Sequence, residues 1–227
     1  MTRRRANAVL DYPFSAPSTD GAVVEVAPGI LWARMPMPMS LDHINVYLLR
    51  DDDGWTLIDT GLNTDTTRER WQFIAETHLE GLPIVRLVCT HMHYDHAGLS
   101  RWLCEHFQIP LYMTHGEYFM MRALAEPIPD PVSLAEQEFF QRAGMPQDRV
   151  DRMWSVMRQD PFRAPQPDSF VRLRGGDELV LGGRTWRVVI GEGHSPEHAC
   201  LYCAQAEILI GGDQLLPPIT SNVLLMG

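Results

Sequence analysis

The run Leu82–Thr90 (LPIVRLVCT) passes without a gap into His91–Gly98 (HMHYDHAG). The first stretch is short, apolar and rich in branched residues, with Pro83 near its start and a polar stretch behind it. That pattern suits a strand buried on both faces. Such a strand needs a layer on each side, which points to a layered α/β fold. Behind the polar stretch, Leu99, Trp102, Leu103 and Phe107 recur at helical spacing, and residues 109–114 (IPLYMT) read as the next strand. The expected order is strand, loop, helix, strand, with the histidines in the loop at a strand's C-terminal end.

The flanking chain has the same grammar. Residues 23–35 read as two strands around Pro28-Gly29, and residues 43–50 and 55–61 as two more around the DDDG turn. A helix is expected from about Thr64 to His78. From Gly116 to Gln166 the character changes to helices at 116–125, 133–143 and 146–158. Ser133 with Glu136 supplies a capping box and Gly144 a stop. Prolines fence this segment, which reads as a helical insertion at about 116–166. Strands return at 177–183, 184–194, 199–204 and 207–213. The domain reading is a polar, flexible arm over residues 1–20 and one domain over 21–227.

Composition narrows the function. The net charge is −10, and of the scattered arginines only Arg3–Arg5 cluster, which argues against a nucleic-acid partner. No apolar run reaches the ~18 residues of a membrane span. The N-terminal arginines have no apolar stretch behind them, so nothing directs export and the expected location is cytoplasmic. Cys200 and Cys203 lie on an expected strand, where positions i and i+3 face opposite sides. They read as buried structural thiols and not as a metal pair.

Three histidines within six positions stand far above the background of nine in 227 residues. His91, His93, Asp95 and His96 form H-x-H-x-D-H, and imidazole and carboxylate are ligands that zinc and other divalent first-row metals accept. In a loop after a strand, His91 and His93 can aim at one ion while Asp95 and His96 turn toward a second. The bland alternative is a polar surface loop. Against it stand two further candidates after strands: His194 in GEGHSPEHA and Asp213 in GGDQ.

Taken together, IDTG (58–61), HMHYDHAG (91–98), GHSPEH (193–198) and GGD (211–213) resemble the metallo-β-lactamase superfamily over about residues 23–213. The resemblance implies a four-layer αββα sandwich. It also implies that His91, His93 and His194 hold a first metal, that Asp95 and His96 hold a second, and that Asp213 bridges the two. Asp59, which alone would read as a turn aspartate, would orient the ligand loop. The implied cofactor is zinc, one or two ions, with iron or manganese also accepted by such donors.

The family's usual last histidine has no counterpart in QLLPPITSNVLLMG, the residues after Asp213. The expectation is a C-terminally truncated member with an underligated second metal and an uncovered sheet face, which would admit a homo-oligomer. His43, Tyr94 and His115 are candidates for lining a substrate pocket, and His198 is expected to bond structurally and not to ligate. The expected activity is cleavage of a small-molecule thioester, lactone or ester by a metal-activated water, with Asp95 orienting that water. Apolar and aromatic residues of the insertion would roof the pocket. The alternatives are a nuclease of the same fold and a non-hydrolytic iron, redox or binding variant. β-Lactam hydrolysis fits less well without an export signal.

Overall fold

A computed structural model of the chain describes residues 10–159, 162–217 and 220–223. The arginine cluster at 3–5 and the first nine residues of the expected arm lie outside them. Residues 10–20 form neither strand nor helix.

The first sheet has seven strands in sequential order. They are β1 (Val23–Ala27), β2 (Ile30–Pro36), β3 (His43–Arg50), β4 (Trp55–Ile58), β5 (Ile84–Val88), β6 (Leu111–Thr114) and β7 (Val171–Leu173). β1 to β4 are antiparallel, and β4 to β7 pair in parallel. The parallel crossovers are α1 (Asp65–Thr77), then α2 (Tyr94–Ala97) with α3 (Ser100–Phe107), then α4 (His115–Ala125), α5 (Leu134–Arg142) and α6 (Gln147–Arg158). The second sheet holds β8 (Glu178–Leu181), β9 (Arg184–Gly191), β10 (His198–Cys203) and β11 (Ile208–Ile210), antiparallel throughout.

The central strands are apolar on both faces because each face meets a different core. Leu48, Leu57 and Leu87 pack with Trp71, Ile74, Leu103, Tyr118 and Met121 on the helical side. Their neighbours Leu49, Ile58 and Val88 pack with Trp186, Val188, Leu201 and Cys203 of the second sheet. This is the period of two expected of strands covered on both sides. The other face of the second sheet exposes Val180, Val189, Tyr202 and Leu209.

Helix boundaries follow their caps. The Thr64 hydroxyl accepts from Thr67 N, and Ser133 and Glu136 form the reciprocal capping box. Two differences from the sequence expectation matter. β7 was not anticipated, because a three-residue edge strand with one buried side chain, Leu173, has no visible periodicity. The expected insertion at 116–166 also starts too early. Its first helix, α4, buries Tyr118 and Met121 in the helical core and belongs to the scaffold. Among the described residues, no helix is long and apolar enough to cross a membrane.

Candidate metal centre

Three of the candidate residues lie just beyond parallel strand ends. β4 is followed at once by Asp59, which takes the left-handed φ of 65°. Gly61 follows at φ 85°, where a Cβ would stand 2.7 Å from Thr67 Cγ2 and 2.9 Å from Met35 Cβ, so only glycine fits. β5 ends at Val88, and Thr90 and His91 follow, both fully buried. His93 precedes α2, so Asp95 and His96 occupy one helical turn and not the open loop expected of them. Adjacent residues on a helix diverge by about 100°, yet the Asp95 carboxylate still reaches back to His96.

Five imidazoles gather at this edge, from His91, His93, His96, His194 and His198. His91 Nε2 stands 2.8 Å from His93 Nδ1 and 3.2 Å from His194 Nε2. Two donors on one tetrahedral zinc, each 2.0–2.1 Å from it, are about 3.3 Å apart. Two groups of three have donor atoms mutually within 4.8 Å: His91 with His93 and His194, and His91 with His96 and Asp213. Asp213 spans them. One of its carboxylate oxygens is 3.3 Å from His96 Nε2 and the other 3.6 Å from His194 Nε2. Asp95 lies outside both groups, although its carboxylate is 3.6 Å from His96 Nε2.

Protonation is set by what each ring meets. Asp59 accepts from Thr90 N at 2.7 Å, Thr90 Oγ at 2.9 Å and His96 Nδ1 at 2.8 Å. With its hydroxyl proton given to Asp59, Thr90 Oγ accepts from His91 Nδ1 at 3.0 Å. His194 Nδ1 donates to the Asn222 carbonyl at 3.0 Å. The Nδ1 atoms of His91, His96 and His194 are thus committed as donors, and their Nε2 atoms face inward as the metal-facing nitrogens.

Burial, reinforced by neighbouring imidazoles, lowers the pKa of His91 well below the ordinary histidine value. Burial, with His194 adding to it, takes His93 to about 4. Both are held in the neutral form that binds metal. His96 behaves oppositely: burial disfavours its charge, but the carboxylates of Asp59, Asp95 and Asp213 outweigh it and raise its pKa. The neutral imidazoles of His91 and His93, with His194 beside them and a cluster of excess negative charge next to them, suit a divalent cation, and the donor set fits zinc.

The remaining candidates fall elsewhere. His43, at the start of β3, pairs with Asp42 and makes no hydrogen bond to the cluster. His115 is exposed, with its ring 4.6 Å from that of Phe119. Tyr94 packs against the helical core. His198 is fully buried, stacks on His91 at 4.7 Å and accepts from Asp213 N at 3.1 Å. Cys200 and Cys203 are both buried and free, with Cys203 in the inter-sheet core and Cys200 against His198 and Gly211.

Sequence reasoning missed Thr90, Asn222 and, above all, Glu117. Glu117 is fully buried on α4 and bonded to both histidine-bearing loops. Burial raises its carboxyl pKa, against three hydrogen bonds that favour the carboxylate. A glutamate in the first turn of a helix that follows a strand was visible, but nothing local marked it as buried.

Comparison with known proteins matches this geometry. The family model described as "Metallo-beta-lactamase superfamily" matches residues 39–225. A β-lactamase domain protein from Burkholderia ambifaria superposes with a TM-score of 0.80 at 40% identity, over 95% of this chain and 63% of that one. The probable metallo-hydrolase YqjP of Bacillus subtilis is 25% identical over 86% of this chain and 60% of its own length. The acyl-coenzyme A thioesterase MBLAC2 of Bos taurus is 27% identical over 82% of this chain and 63% of its own length. The chain thus spans about 60% of the length of these relatives. With a family match over most of its residues and the two histidine-bearing loops brought to one edge of the paired sheets, the chain belongs to the metallo-β-lactamase superfamily.

Proposed function

We propose that the protein is a metal-dependent hydrolase of small-molecule thioesters, lactones or esters, with thioesters first, and that its metal is zinc in a two-ion centre. The observation that carries this reading is the Asp213 carboxylate, set between a three-histidine cluster and an acid-rich one. When bound, such ions lower the pKa of water and polarise the scissile carbonyl.

The protein's own groups do the rest. Thr90, Asp59 and the Asn222 carbonyl fix the tautomers of His91, His96 and His194. Asp95, partly exposed beside His96, would orient the attacking water. Asp213, with its backbone held by His198, keeps the two clusters in register.

The thioester preference draws on the MBLAC2 relative and on the apolar side chains of α4 to α6, among them Phe119 and Met157, which are exposed. The test is elemental analysis of protein purified without added metal, followed by assay of the zinc-loaded protein on acyl-coenzyme A thioesters, lactones, esters and RNA. The expected result is zinc, with turnover greatest on a thioester. Cleavage of RNA alone, or iron without hydrolysis of any ester, would overturn the proposal.

A further inference from the structure

The two halves of the three-histidine cluster come from different sheets. His91 and His93 follow β5 of the first sheet, and His194 lies in the loop between β9 and β10 of the second. Nothing covalent near the site sets their separation, yet a tetrahedral centre tolerates little error in it. Glu117 lies between them. Its Oε2 accepts from Met92 N at 2.9 Å, the amide between the two histidines. Its Oε1 accepts from Ser195 Oγ at 2.6 Å, next to His194, and from Glu197 N at 2.7 Å.

The loop reciprocates: Glu197 Oε2 accepts from Gly116 N at 2.6 Å, and the Glu197 carbonyl accepts from Thr114 Oγ at 2.8 Å. Two glutamates therefore clasp each other's backbone, one from the start of α4 and one from the β9–β10 loop. Among the described residues this fully buried carboxylate has no cationic partner, which makes it an expensive way to join two loops. Three donors converging on it from both ligand segments account for its retention.

We propose that Glu117 is a positioning residue that ties the His91/His93 loop to the His194 loop and so sets the spacing of the three imidazoles. This rests on the metal-centre reading above.

Glu117→Gln severs one of the two tethers. Wherever the amide NH2 lies, it meets an N–H that cannot accept: Met92 N on one side or Glu197 N on the other. Groups that orient ligands from outside the coordination shell are worth about 10–100-fold in metal affinity. The experiment titrates metal-free wild type, Glu117→Gln and Ser195→Ala with Co2+. It follows the visible d–d spectrum, with Zn2+ competition for affinity and circular dichroism to confirm folding.

The expected result for Glu117→Gln is about 10–100-fold weaker binding of the first equivalent, an altered spectrum and little change in the second equivalent. Ser195→Ala, which removes one donor and leaves the carboxylate its two N–H donors, should weaken the first equivalent by a smaller factor. A folded Glu117→Gln protein with wild-type affinity and spectrum overturns the proposal. If that variant does not fold, a folded Ser195→Ala protein with wild-type affinity overturns it. Failure of the wild type itself to bind Co2+ would instead refute the metal-centre reading.

Discussion

Replacing Asp59 with asparagine tests whether the hydrogen-bond chain beneath the metal centre sets its chemistry. Asp59 is buried and receives three hydrogen bonds. Alanine would strand all three donors at about 1–3 kcal/mol each, a sum comparable with the whole stability of a domain, about 5–15 kcal/mol. Asparagine keeps the shape and asks a sharper question. Thr90 N can only donate, so the asparagine carbonyl must stay opposite it, in the place of Oδ1. The amide then takes the place of Oδ2, which now accepts from Thr90 Oγ and His96 Nδ1. The hydroxyl can turn round, but His96 can accept at Nδ1 only by moving its proton to Nε2. That is the nitrogen 3.3 Å from Asp213, and once protonated it is no ligand.

Restoring the ligating tautomer sets two buried donors against each other, costing about 1–3 kcal/mol. Each 1.4 kcal/mol is a factor of ten, so the second metal should bind about 10–100-fold more weakly. The site of His91, His93 and His194 lacks His96 and feels the change only through the Thr90 hydroxyl beneath His91, so it should weaken by a smaller factor. Competition with a chromophoric chelator measures both affinities, and 15N shifts of the His96 ring report its tautomer. Equal loss at both sites, or an Nδ1 proton retained on His96 with affinity unchanged, would refute the reasoning.

Further outcomes follow from the same geometry. Asp213→Ala should lower bound metal more than His198→Ala, because Asp213 faces both clusters whereas His198 holds only its backbone; elemental analysis of the two variants decides this. Replacing residues 128–159 with a short linker should change substrate preference and leave metal binding intact. A replacement beginning at 116 should abolish binding, because it removes Glu117 along with the buried Tyr118 and Met121. The metal-free protein should lose stability as pH falls from about 6.5 to about 4, in urea titrations at fixed pH. Burial, above all, holds His93 and His198 to about 4, so the unfolded chain binds more protons across that window. Each such group is worth on the order of 3 kcal/mol, at about 1.4 kcal/mol per pKa unit. His96, whose folded value is raised, is protonated in both states below 6.5 and adds no slope there; its share fades only as pH rises through its folded value.

How far the site could be read from sequence depended on where each partner sits along the chain. His91, His93 and His96 belong to one short motif behind a buried strand, and strand periodicity placed that motif at a sheet edge. His194 and Asp213 were reachable because each also follows a strand, and strand ends of a two-sheet fold meet along one edge. Asp95, 3.6 Å from His96 Nε2, stays beside the second cluster without completing either group of three, and the one helical turn that sets its place has no periodicity to detect.

The groups beneath the ligands were harder to see in proportion to their distance in the chain. Thr90 adjoins His91, but its link to Asp59 crosses 31 positions, and the hydroxyl needs both contacts to pass orientation from carboxylate to imidazole. Glu117 reaches 25 positions back to Met92 and 78 forward to Ser195. In sequence it is an ordinary acidic residue near a helix start, where a solvated side chain near the helix dipole would be the default expectation. Only the closing of one sheet over the other buries it, and its three donors come from segments that no local pattern joins. The candidate ligands could therefore be located from the strands that carry them, with their roles implied by the family resemblance, whereas the spacing between them belongs to the assembled sandwich.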